Sequence, residues 1–178
     1  MRKRVLIISA SPRKGGNSDT LCDRFQQGAA EAHHHVERVF LADRTIGYCA
    51  ACSACRGSGE CVQDDDMRTL LESMIAADVI VLATPVYFFG MCAQLKTVID
   101  RTVARYTAIA NKEFYFIVTA AVGSKRPLER TMEGLRGFTS CLTGAKEKGI
   151  VYGTGAWEIG DILSRPAFEE AYEMGKSV

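Results

Sequence analysis

The sequence has no apolar run long enough to cross a bilayer, no excess of either charge sign, and neither of the two common glycine-rich nucleotide signatures. The first absence excludes a helical membrane span. The second, 22 Lys and Arg against 21 Asp and Glu for a net charge of +1, gives no electrostatic reason to bind nucleic acid or an anionic membrane. Without G-x-x-x-x-G-K-[ST], a nucleoside triphosphate held by a P-loop is not expected. No G-x-G-x-x-G follows the first apolar run, which argues against a dinucleotide site there. The nearest imitation, Gly153-Thr154-Gly155, has Glu158 where the third glycine belongs. A receiver-type phosphorylation domain needs acidic residues where this chain has Ser9 and Ser11. There is no internal repeat, low-complexity segment or linker. Met1-Arg2-Lys3-Arg4 opens like a signal peptide, but the apolar run after it is short and Pro12-Arg13-Lys14 follows, so no secretory signal is expected. The seven cysteines are then expected to be reduced thiols in the cytoplasm, not a disulfide frame.

What is present is the composition of a globular protein, 178 residues with 47% apolar and 24% charged side chains. This length suits one domain spanning 1–178. Strand and helix patterns alternate throughout. Val5 to Ile8, Val36 to Leu41, Val79 to Ala83, Phe114 to Val118 and Ile150 to Tyr152 read as strands. Helical spacing appears in Leu21, Phe25 and Ala29, then in Met67, Leu70, Leu71 and Met74 after Asp64 to Asp66, which are well placed to cap a helix start. It returns in Cys92, Leu95 and Ile99, in Leu128, Met132, Leu135 and Leu142 after Pro127, and in Phe168, Ala171 and Tyr172 after Pro166. Five strands alternating with five helices imply an α/β three-layer sandwich: a five-stranded parallel sheet with helices on both faces. Right-handed crossovers make the flavodoxin-like order 2-1-3-4-5 the simplest topology. Ligands then sit beyond the carboxyl ends of the strands, beside the first one.

The segment from Val5 to Thr20 runs from a buried strand through a loop of small, hydroxylated and basic residues into a helix. Helix starts carry free N–H groups and the positive end of the macrodipole. Ser9, Ser11, Asn17, Ser18 and Thr20 add hydroxyl and amide donors, Arg13 and Lys14 add charge, and Gly15 and Gly16 let backbone approach a ligand. This suits one terminal phosphate such as that of FMN. An ordinary strand-to-helix turn with capping residues is the alternative. After the third strand, Thr84-Pro85-Val86-Tyr87-Phe88-Phe89-Gly90 places three aromatics in succession. A flat ring system would cover them by stacking or edge contact. A plug over the sheet end or a dimer contact is the competing reading.

SASPRKGGNS, ATPVYFFGMCAQLKTVIDR and GTGAWEIGDI, in this order and spacing, resemble the flavodoxin-like NADPH-dependent FMN reductase family, which includes iron–sulfur flavoproteins. The resemblance implies FMN bound non-covalently, NAD(P)H as electron donor, and a flavin, quinone or similar small-molecule acceptor, or a redox protein. It also implies a homodimer or a dimer of dimers. Carried onto this chain, the phosphate falls to Ser9, Ser11, Arg13, Asn17, Ser18 and Thr20, and the ring and ribityl chain to Pro85, Val86, Tyr87, Phe88, Phe89 and Gly90. The loop after the fourth strand, with Ala121, Val122 and Gly123, is expected against the ring. Hydride transfer from nicotinamide to flavin needs no protein nucleophile, so no catalytic residue is assigned. Lys96, Asp100 and Arg101 match the family's LK-x-x-x-DR pattern and read as surface helix ion pairing and subunit contact.

Cys49, Cys52, Cys55 and Cys61 form C-x-x-C-x-x-C-x-x-x-x-x-C, a spacing that can bring three thiolates to one cubane face. It resembles the compact motif of iron–sulfur flavoproteins. A [4Fe–4S] cluster, a redox disulfide and plain thiols stay open, and zinc ranks lower. With a cluster the protein would be an electron carrier. A non-catalytic flavodoxin-like binding module is the alternative of another class. Cys22, Cys92 and Cys141 fall at helical positions and are expected to be buried apolar residues. His33 to His35 read as an exposed turn and not as a metal site, and Trp157 as a cover for the ligand or a packing residue.

Overall fold

The computed structural model describes residues 1–178. Strands β1 (Arg4–Ser9), β2 (His35–Phe40), β3 (Val79–Tyr87), β4 (Gly90–Met91), β5 (Glu113–Ala120) and β6 (Lys146–Thr154) are interleaved with helices α1 (Asn17–Glu31), α2 (Cys55–Ser58), α3 (Met67–Ala76), α4 (Ala93–Arg101), α5 (Glu129–Ser140) and α6 (Pro166–Lys176). Five strands pair in parallel in the order β2-β1-β3-β5-β6. This is the expected order 2-1-3-4-5 once β4, a two-residue strand that folds back antiparallel on the end of β3, is set aside. The sixth helix, α2, is a single turn inside the cysteine loop.

Alternate residues of each strand enter separate cores, because successive side chains point to opposite faces. Leu6, Ile8, Ile80, Leu82, Phe114 and Phe116 meet α3, α4 and α5 through Met74, Leu95 and Leu135. Val5, Ile7, Val79, Val81, Tyr115 and Ile117 meet α1 and α6 through Phe25 and Ala171. Burial on both sides is why these strands read as unbroken apolar runs. Helices α1 and α6 approach backbone to backbone: a Cβ on Gly28 would overlap the Tyr172 carbonyl, and one on Gly175 the Phe25 carbonyl.

Three sequence readings change. Cys22 and Cys92 are buried, but Cys141 is exposed: it stands just past the end of α5 at Ser140, with its thiol toward the Gly137 carbonyl and not the core. β3 does not stop at Ala83; it carries Pro85 to Tyr87 as strand and returns through a two-residue hairpin. Arg101 is not a surface residue: its side chain is 1% exposed and paired with Asp65. Lys96 and Asp100 do form the expected exposed i,i+4 pair, at 2.7 Å.

Candidate functional site

The strand order reverses between β1 and β3, and the crevice beyond the carboxyl ends of these strands is where such sheets bind ligands. A cavity of about 380 Å³ opens there, within the usual range for small-molecule sites. Four segments wall it. The β1–α1 loop contributes Ser11, Arg13, Gly16, Asn17 and Ser18; the end of β3 and its hairpin contribute Pro85 to Phe89. The end of β5 adds Thr119 to Val122, and the segment after β6 adds Ala156, Trp157 and Ile159, with Leu128 closing one side.

The β1–α1 loop is built to offer donors. Helix α1 starts at Asn17 with Gly16 at the N-cap and no side chain capping it, so its first amides are free for a ligand. Ser18, 2% exposed, has a hydroxyl with no partner. The Ser11 hydroxyl accepts from the Arg13 amide at 3.0 Å and fixes the turn. Gly15 is left-handed at φ +69°, and a Cβ on Gly16 would come within 3.1 Å of the Ser11 hydroxyl. Arg13 is exposed and is not ion-paired within the chain. Unpaired hydroxyl, free amides, close backbone and one guanidinium form a cradle that fits a phosphate.

The loop rests on a residue that sequence reading missed. Asp19 is buried and accepts from the Ser9 hydroxyl at 2.7 Å and the Gly15 amide at 2.8 Å, and it forms an ion pair with Arg38 of β2. An acidic residue in the first turn of a helix signals dipole complementarity, but nothing in the sequence links it to Arg38. This network explains why Ser9 lies outside the cavity wall: its hydroxyl is committed beneath the loop. Thr20 also lies outside, with its hydroxyl toward the Gly15 carbonyl at 3.4 Å. Asn17 lines the cavity but spends its amide elsewhere, donating to the Glu158 carbonyl at 2.9 Å and accepting from the Ile162 amide at 3.3 Å. It thereby ties the Trp157 segment across the mouth. Cys22, behind this network, is inert, since burial pushes its thiol up to about 12.

On the opposite wall the hairpin turn places Phe88 and Phe89 at φ +50° and +61°. Two left-handed residues in a two-residue hairpin match a type I′ turn, which prefers Asn-Gly. Phe88 is wholly exposed at the rim, while Phe89 is held by the Thr131 hydroxyl on its carbonyl at 2.9 Å and by the Arg130 guanidinium over its ring. Gly90 and Gly123 are outside the wall. Of the residues expected at a ligand, Ser11, Arg13, Asn17, Ser18, Pro85 to Phe89, Ala121 and Val122 come together in one cavity. Gly16 and Ala120, also expected near a ligand, line the wall too; Thr119, Leu128, Ala156 and Ile159 were not foreseen, because they sit at ends of elements whose sequences carry only a packing signal. The wall contains no carboxylate, histidine, lysine or cysteine.

Cys49, Cys52, Cys55 and Cys61 all line a second hollow, of about 600 Å³. No three of them converge closely enough to hold one metal ion. All seven cysteines are free thiols. As folded, the loop presents the donor set of a cluster around a common space without a finished ligand geometry.

Residues 3–149 match the family model described as NADPH-dependent FMN reductase. An iron-sulfur flavoprotein of Methanosarcina thermophila is 43% identical over 100 residues, 56% of this chain and 52% of that one. One of Archaeoglobus fulgidus is 40% identical over 94 residues, 53% of this chain and 43% of that one. The chain thus spans about half the length of the curated relatives it matches. Among solved structures, an FMN-dependent NADH-azoreductase from Bacillus anthracis in complex with FMN superposes with a TM-score of 0.76 at 17% identity over 98% of both chains. An NAD(P)H:quinone oxidoreductase from Methanothermobacter marburgensis gives 0.72 at 19% identity, covering 99% of this chain and 97% of that one. At such identities these two establish the fold.

Proposed function

This chain belongs to the NADPH-dependent FMN reductase family, and from that membership we propose that residues 1–178 form one FMN-binding domain that takes electrons from NAD(P)H and passes them to a flavin, quinone or similar acceptor. The observation that carries the reading is the buried, partnerless Ser18 hydroxyl at an uncapped helix start facing the cavity. FMN, when bound, supplies hydride acceptance and delivery, which no side chain of this pocket can perform. The chain's own part is to bind, orient and shield. Ser11, Arg13 and Ser18, with the first amides of α1, hold the phosphate. Pro85 to Phe89 and Ala121–Val122 bracket the ring between apolar walls that keep water away. Trp157, anchored through Asn17, covers the mouth. With no titratable acid or base in the wall apart from Tyr87 and Arg13, the protein contributes position and environment, not proton transfer.

The test is a fluorescence titration of the purified protein with FMN, followed by anaerobic mixing with NADPH and with NADH. Binding followed by bleaching of the flavin bands is expected. A folded protein that ignores saturating FMN overturns the reading; binding without bleaching by either nucleotide leaves a non-catalytic flavin module.

A second reading, an iron–sulfur electron carrier, draws on one observation, that the four loop cysteines share a hollow. It requires the loop to close around the cluster. Iron and sulfide in anaerobically purified protein, lost in Cys55→Ala, would establish it. We further place the protein in the cytosol, where its thiols stay reduced, and as a homodimer that covers the exposed Phe88, Trp157, Ile159 and Leu163.

A further inference from the structure

Arg101, the last residue of α4, lies under the entrance of the cysteine loop. One terminal nitrogen donates to the Gly47 carbonyl at 2.7 Å, to Gln63 Oε1 at 3.1 Å and to Asp65 Oδ2 at 2.7 Å; the other donates to Asp65 Oδ1 at 2.9 Å. Gly47 stands two residues before Cys49, and Gln63 and Asp65 follow Cys61 by two and four. One guanidinium therefore grips the chain on both sides of the four cysteines. Around it the two strands of the neck bond to each other. The Gly47 amide donates to Asp65 at 3.0 Å, the Gln63 side chain to the Tyr48 carbonyl at 3.0 Å, and the Asp66 amide to the Thr45 carbonyl at 3.1 Å.

Beyond the neck the loop has little of its own to hold it. Its backbone bonds are Arg56 to Ser53 and Gly59 to Cys55. Ala51 and Ser53 sit at positive φ, and most of the segment is exposed. Cys61 lies beside the guanidinium, and Arg101 shares the wall of the four-cysteine hollow. The remaining nitrogen of that guanidinium, Nε, is buried and has no partner.

We infer that Arg101 is the positioning residue of the four-cysteine loop: its forked guanidinium fastens the neck and holds Cys61 at its side. This assignment is independent of flavin binding and of whether the thiols hold a cluster. It also fixes the loop to the flavin site mechanically. The other end of α4 is pinned to the aromatic segment, with the Cys92 amide donating to the Thr84 hydroxyl at 3.0 Å and the Cys92 thiol to the Ala10 carbonyl at 3.1 Å. One rigid helix thus sets the spacing of both loops.

The experiment uses the full chain, comparing wild type with Arg101→Gln and Arg101→Lys. Hydrogen exchange is followed across residues 48–62, and iodoacetamide labelling is read at each cysteine by mass spectrometry. Arg101→Gln is expected to raise exchange in that segment and labelling of Cys61 at least tenfold, with exchange in β1, β3 and β5 unchanged. Lysine keeps the charge but not the fork, so Arg101→Lys is expected to rescue less than half of the protection. If Arg101→Gln does not fold, Arg101→Lys decides by the same criteria. Wild-type protection in either folded variant overturns the inference. So does complete rescue by lysine, which would mean that charge alone suffices.

Discussion

Ser18 and Asp19 are neighbours with opposite duties, and each has a distinct expected phenotype. The Ser18 hydroxyl is buried and unpaired, so Ser18→Ala removes an unsatisfied group and is expected to leave the apoprotein as stable or slightly more so. If the hydroxyl serves a phosphate, the same change weakens FMN by about tenfold, roughly 1.4 kcal/mol, in a fluorescence titration. Asp19→Ala instead orphans the Ser9 hydroxyl and the Gly15 amide, leaves Arg38 only the exposed Asp23 as an ion-pair partner, and is expected to cost about 3 kcal/mol in urea unfolding of the apoprotein. The sequence exposed the hydroxyls and Arg13 as a cluster, because local spacing alone places them in one loop. It could not separate Ser11 and Ser18, which face the cavity, from Ser9, which faces Asp19. That division depends on Arg38, which comes from another strand. For the same reason Arg101 read as a surface cation: its partners lie 36 to 54 residues upstream, in a loop without periodicity.

The element with the least favourable local chemistry is the hairpin turn at Phe88 and Phe89. Each left-handed phenylalanine costs about 1–2 kcal/mol against a conformation it would choose freely. Phe88→Gly is therefore expected to raise the unfolding free energy of the apoprotein by roughly 1 kcal/mol, measured in urea. If the turn shapes the flavin wall, FMN binding weakens at the same time, separating local strain from ligand contact. Helix packing makes the converse case. Gly28 of α1 touches the Tyr172 carbonyl of α6, and Gly28→Ala is expected to destabilise by about 3 kcal/mol because backbone cannot step aside. Element types and their order were legible from periodicity: apolar runs for the doubly buried strands, 3.6-residue spacing for the helices. The ends were not. β3 runs on through Pro85 to Tyr87 because β5 and β4 pair with it there, a tertiary contact that no window of residues displays.

At the scale of the whole molecule, both loops of interest emerge from the same end of one sheet, and the topology was derivable because right-handed crossovers leave few alternatives. The relative placement of the cysteine loop was not derivable, since it depends on bonds of Arg101 to Gly47, Gln63 and Asp65, which are far from it in sequence. Burial pushes the Asp65 carboxyl up, but the Arg101 guanidinium and the Gly47 and Met67 amides outweigh it and hold the group below its ordinary value. A carboxyl depressed by folding adds stability above its unfolded pKa of about 3.9, and that stability is lost as pH falls through the lower folded value. The stability gap between wild type and Asp65→Asn is thus expected to be constant above about pH 5 and to shrink below about pH 4, as followed by circular dichroism in urea.

The two hydrogen bonds between the Asn17 side chain and the Glu158–Ile162 segment give the molecule a latch. The amide that starts the first helix also holds down the strap bearing Trp157, so the floor of the cavity and its rim are joined through one side chain.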